Sequence, residues 1–119
     1  MTLRYKGFYF HNHDNWQPED LTDFGCWADF YIGNDRGSDA FTVLICTPSW
    51  FFRERGAAVT SGRNVIFMPS FDLTALDNFL KAECDGEIGM NHDTTMLKID
   101  GIGDWEFRYR SYLDTGSAP

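Results

Sequence analysis

The stretch DAFTVLICTPSWF, Asp39 to Phe51, decides how this chain folds. Every residue from Phe41 to Cys46 is β-branched, aromatic or otherwise apolar, which reads as a buried strand bounded by turn chemistry. The run then stops at Thr47-Pro48. Thr47 suits a helix N-cap, and Pro48 suits the first helical position, where its missing N–H leaves no bond unmade. A short helix is expected to about Arg55, with Gly56 as its stop. Trp50 brings a large apolar surface to seat that helix on the sheet.

Toward the N-terminus, Phe24 to Ile32 alternates Cys26, Ala28, Phe30 and Ile32 against Trp27, Asp29 and Tyr31, a second strand. GNDRGSD then forms a hairpin connection, so this strand pairs antiparallel with the Phe41 strand. Residues 11–23, HNHDNWQPEDLTD, read as a polar acidic loop. Before it, Leu3 to Phe10 is a first strand with aromatics on both faces.

Toward the C-terminus, residues 57–62 form a loop and Val65 to Met68 a fourth strand closed by Pro69. Asp72 caps a helix to about Glu83, with Leu73, Leu76, Phe79 and Leu80 on one face and Phe71 stapled onto Leu76. CDGEIGMNHD is expected to be loop, and Thr94 to Ile99 a short strand or a helical turn. Trp105 to Arg110 alternates aromatic and charged residues as a half-exposed last strand, and the tail from Thr115 is expected to fray. The sum is one α+β domain over residues 1–119: a mainly antiparallel sheet of about four or five strands, one main helix and a short capped one.

Bulk properties narrow the function. A chain of 119 residues buries roughly 65% of its unfolded surface, enough to fold without staples. Eighteen acids against ten bases give a net charge of −8. The acidity is spread: eight acids against five bases in residues 1–60, and ten against five in 61–119. Free nucleic acid is a poor ligand for such a surface, since phosphate contacts need clustered Lys and Arg, and a basic protein is the better match. Cys26, Cys46 and Cys84 are odd in number and lack a C-x-x-C, which suits buried thiols in a reducing cytoplasm. No apolar run or signal-like N-terminus points to a membrane or to secretion.

Ile32-Gly33 with Phe41, Val43, Ile45, Cys46, Thr47, Pro48 and Trp50, and then Trp105, Glu106 and Phe107, resemble the Immunity protein 8 family. That family's pattern runs F-x-V-x-V-C-T-P-x-W-L and closes on W-E-F. Here Ile45 replaces a Val, and Phe51 stands where Leu is usual. The similarity covers about Phe24 to Tyr112; GMNHDTTMLKIDGIGD stands where the pattern has a shorter, more polar helical segment. The resemblance implies a bacterial immunity factor of polymorphic-toxin or contact-dependent inhibition systems, a cytoplasmic protein that binds a toxin, has no catalysis of its own and uses no cofactor.

Residues that would argue for an enzyme have plainer readings. His11-x-His13 has metal-ligand spacing with Asp14 or His92 nearby in type, but no second ligand motif follows. Cys46 beside a helix start has the position of a nucleophile without a His or Asn partner signature. A small metal- or Cys-dependent enzyme is thus the first rival, and an acidic adaptor with a non-toxin partner the second. Thr47, Pro48, Trp50, Trp105 and Phe107 are assigned to the scaffold. Recognition is assigned to acidic loops: Asp14, Trp16, Glu19, Asp20 and Asp23 in the first, Asp35 and Asp39 in the second, Glu83, Asp85 and Glu87 in the third. Trp16 is the candidate anchor there. The expected partner is a basic toxin domain, a nuclease by preference, with no direct contact to nucleic acid or membrane.

Overall fold

A computed structural model describes residues 2–13, 15–89 and 91–107. The elements run β1 (Arg4–Phe10), β2 (Gly25–Asn34), β3 (Gly37–Cys46), α1 (Pro48–Glu54), β4 (Val65–Phe67), α2 (Leu73–Glu87), α3 (His92–Ile99) and β5 (Asp104–Trp105). The sheet order is β1-β2-β3-β4. β2 and β3 form an antiparallel hairpin over ten residues each, closed by the two-residue turn Asp35-Arg36, in which Asn34 Oδ1 accepts the Arg36 N–H at 2.9 Å. The far edge of β3 is divided. Its C-terminal half pairs parallel with β4, Leu44 opposite Val65, and its middle pairs antiparallel with β5, Phe41 opposite Trp105.

The alternation of the second strand fixes two unlike faces. Cys26, Ala28, Phe30 and Ile32 of β2 join Phe41, Val43 and Ile45 of β3 in the main core, under α2 and α3. Phe30 and Phe41 are cross-strand partners, wholly buried, with rings stacked at 5.1 Å. Such a pair adds about 0.5–1.5 kcal/mol beyond its buried area. β1 is aromatic on both faces in its sequence because it contains a bulge. Tyr5 pairs with Ile32 and Phe8 with Phe30, so three steps on β1 oppose two on β2, with Gly7 at φ +104°. The extra residue brings Tyr5, Phe8 and Phe10 onto the core side and leaves Tyr9 outside.

Several elements differ from the sequence expectation. α2 runs past Glu83 to Glu87, because its buried stripe is Leu76, Leu80 and Cys84 at four-residue spacing, and Leu73 and Phe79 lie largely exposed. Its cap is as expected, with Asp72 Oδ1 accepting from Ala75 N at 3.0 Å. Residues 92–99 are a full helix, capped by Asn91 Oδ1 on Thr94 N at 3.0 Å, with Met96 and Ile99 buried. Thr47 occupies the N-cap position of α1, but its hydroxyl accepts the Phe24 N–H at 3.1 Å, joining the start of β2 to the end of β3. Phe51 is the buried residue of α1, and Trp50 lies half-buried over Gly25, where a Cβ would run into the indole. β5 is two residues long; Glu106 N still donates to Ala40 O at 3.0 Å, and Glu106 and Phe107 then turn away. Asp14, the rest of the expected last strand (Arg108 to Arg110) and the tail from Thr115 lie outside the described residues.

Candidate protein-interaction surface

The second face of the sheet is covered only at one end. There α1 packs Phe51, with Trp50 beside it, onto Leu44 and Cys46. Beyond α1, no described element lies over the face. Strand register sets its rows: Tyr9, Asp29, Thr42 and Asp104 run across four strands, with Tyr31 and Ala40 in the next row. Tyr9 is 57% exposed and Trp27 40%, and Tyr31 is half-buried with its ring 5.9 Å from that of Tyr9. At the centre, Asp29 Oδ1 takes the Thr42 hydroxyl at 2.7 Å and His11 Nε2 at 2.8 Å. Burial, with Asp29 and Glu106 nearby, raises the Tyr31 phenol above its ordinary pKa, so it stays a neutral donor.

Between this face, α1 and the loop before β4 lies a groove of about 300 Å³ that includes Trp27, Thr42, Arg55, Asn64 and Asp104. The Arg55 guanidinium stands 5.4 Å over the Trp27 ring, a cation–π contact. Asn64 has a left-handed backbone, φ 59°, and its Oδ1 is buried without a hydrogen-bond partner among the described residues. An unmet buried acceptor of this kind calls for a donor.

The acidic residues named from the sequence divide between the two ends of the sheet. At the β2 entry, Glu19 and Asp20 are exposed, and Asp23 pairs with Arg53 at 3.0 Å. The Asp20 carboxyl is held below its usual range because it accepts both the N–H and the hydroxyl of Thr22. Trp16 lies in the same loop, but its ring packs against Phe10, Phe24 and Phe71 with centroids 5.2 to 6.3 Å away. At the hairpin end, Asp35 pairs with Arg4 at 3.1 Å. Asp39 Oδ2 accepts the Trp105 indole N–H at 2.9 Å and meets His92 Nε2 at 3.2 Å. Glu83, Asp85 and Glu87 ride the last turns of α2, with Asp85 held by Lys81 at 2.7 Å. They are helical and not a loop. The face between the two ends, with Tyr9, Trp27, Tyr31 and Asp104, was missed by sequence reasoning. Its signal was present in the odd positions of β2, where Trp27, Asp29 and Tyr31 oppose an apolar row.

The three thiols are buried, His11 and His92 are engaged by carboxylates, and His13 is exposed. Burial pushes Cys26 and Cys84 up to about 12 and Cys46 up to about 11, far from a reactive thiolate. His92 is raised above its ordinary value by its bond to Asp93, against a burial cost, with Asp39 adding to it. Among the described residues, no three His, Cys, Asp or Glu side chains converge as a metal set. No helix among them is long and apolar enough to cross a membrane.

An acidic α+β domain that presents an exposed aromatic sheet face has the build of a protein-binding module. The chain belongs to the Immunity protein 8 family, whose model matches residues 2–109. Its class of function is therefore that family's, the neutralisation of a cognate toxin partner. No curated protein and no solved structure matches the chain.

Proposed function

We propose that this protein binds a basic toxin domain, a nuclease by preference, and blocks it in the cytoplasm of the cell that makes both. The setting is a polymorphic-toxin system of the contact-dependent type, and the inhibitor acts by occupancy, without a reaction of its own. One observation carries the basic partner: eight excess negative charges, with exposed carboxylates at both ends of the sheet. A nuclease cleft is built to hold phosphate and is electropositive, so such a surface is drawn to it and oriented before contact. Glu19, Asp20 and Asp23 at one end, and Asp35, Asp39, Glu83, Asp85 and Glu87 at the other, supply that field, and Asp14, which lies outside the described residues, adds its charge.

The test is co-expression with the toxin domain encoded directly upstream, followed by growth and by association kinetics of the purified pair. Growth should be restored. Raising salt from about 0.05 to 0.5 M shortens the Debye length from roughly 14 to 4 Å, and association should slow markedly. Reversing Glu19, Asp20 and Asp23 together should lower the on-rate more than the off-rate rises. Salt-independent association would remove the basic partner from the reading, and failure to protect would remove the toxin.

A further inference from the structure

We propose that the toxin domain docks on the uncovered face of the sheet, from the Tyr9–Tyr31 pair to the groove at Asn64 and Asp104, and that a Lys or Arg of the toxin enters that groove. The proposal rests on the immunity reading above and specifies where it is carried out.

Three features converge on this face. First, exposed aromatic rings stand on strands and not on loops, so their positions are fixed before binding. Rigid Trp and Tyr side chains give contact area at small entropic cost and dominate binding hot spots. Second, the charges of the face are unevenly matched. Arg4 pairs with Asp35, Lys6 Nζ donates to Asn34 O at 2.9 Å, and Arg63 pairs with Asp100 at 3.3 Å. Asp104 has no ion pair among the described residues, and Glu106 accepts only the Ala40 N–H at 2.7 Å. Third, Asp104 lines the groove, and the two arginines that also line it are already engaged, Arg55 on the Trp27 ring and Arg63 with Asp100. The Asp104 carboxylate is thus left to accept from an ammonium or guanidinium of the partner. Arg55, stacked on Trp27, marks the border on the α1 side and keeps the cationic group at the Asp104 end.

The opposite side of the molecule supplies the control. Phe79 of α2 is similarly exposed, but α2 covers the other face of the sheet. Equilibrium binding of the full chain to the upstream-encoded toxin domain would be measured for Trp27→Ala, for Tyr9→Ala with Tyr31→Ala, for Asp104→Lys, and for Phe79→Ser. Thermal melts of each variant would establish that it folds. The Trp27 and double Tyr variants should each raise Kd by about 30-fold, the size of a hot-spot loss. Asp104→Lys is an exposed change that spares the core. It should weaken binding about 10-fold or more and flatten the salt dependence. Phe79→Ser should stay within about threefold. Folded face variants that all bind within threefold of wild type would overturn the proposal and leave the immunity reading standing. Wild-type protein that fails to bind the toxin domain would remove both. Face variants that abolish self-association and spare toxin binding would give the face to a second copy of this chain.

Discussion

The contact between Trp50 and Gly25 predicts a substitution whose sign depends on its neighbour. Gly25 opens β2, and the Trp50 indole lies where its Cβ would be. In a strand, replacing Gly by Ala normally stabilises by about 0.5–1 kcal/mol, because Gly loses more freedom on folding. Here the added methyl must displace a ring that helps seat α1 on Leu44 and Cys46, and overpacking of this kind costs about 1–3 kcal/mol. Gly25→Ala should therefore destabilise by about 1–2 kcal/mol. Trp50→Ala removes a half-buried ring and should cost about 1.5–2.5 kcal/mol, half of what a buried Trp costs. In the double variant the clash is gone, and Gly25→Ala should be neutral or stabilising. The four urea melts form a cycle with an expected coupling of about 1–3 kcal/mol, read as shifts in midpoint at constant slope. If Gly25→Ala costs the same in both backgrounds, with coupling under about 0.5 kcal/mol, the close approach does not exist as described.

Three further outcomes are expected. The thiols of the folded protein should react slowly with a thiol reagent below pH 9 and completely in denaturant; rapid labelling of Cys46 would show that α1 does not enclose it. Asp72→Ala should lower stability by about 1 kcal/mol, seen as a lower urea midpoint, by freeing the Ala75 N–H. His92, whose folded pKa is raised, contributes stability that is fully present below its ordinary value near 6.5 and is lost as pH rises through the folded value. Because the ring is about half exposed, the contribution is a few tenths of a kcal/mol. The difference in melting between wild type and His92→Gln should accordingly shrink from pH 5.5 to pH 8.5.

Local chemistry was legible in the sequence, and non-local pairing was not. The β2–β3 hairpin could be read because Cys26, Ala28, Phe30 and Ile32 alternate cleanly and meet a turn at Asn34 to Gly37. The β1 bulge could not, since Gly7 signals it only when Ile32 and Phe30 are known to be the partners of Tyr5 and Phe8. The third helix was only half legible: its polar opening, Asn91 to Asp93, reads as loop, and Thr94 to Ile99 suits a strand or a helical turn until Met96 and Ile99 find a core to enter. The same limit applied to the surface. Acidic residues can be counted in a sequence, but Trp16 sits in a polar stretch, and nothing local shows Phe10, Phe24 and Phe71 converging on it. The row from Tyr9 to Asp104 spans four strands and exists only once they are paired.

The divided edge of β3 has a consequence for synthesis. Phe41 and Thr42 receive their edge partners from Trp105 and Asp104, about 60 residues later in the chain. At ordinary translation rates that interval is roughly 3–12 s, during which this apolar strand is made but not closed. Pairing of such long range also slows folding itself, since the loop must close before the contact rewards it. The nascent chain is thus exposed to edge-to-edge association until β5 arrives, and resistance to the toxin should begin only after β5 has docked.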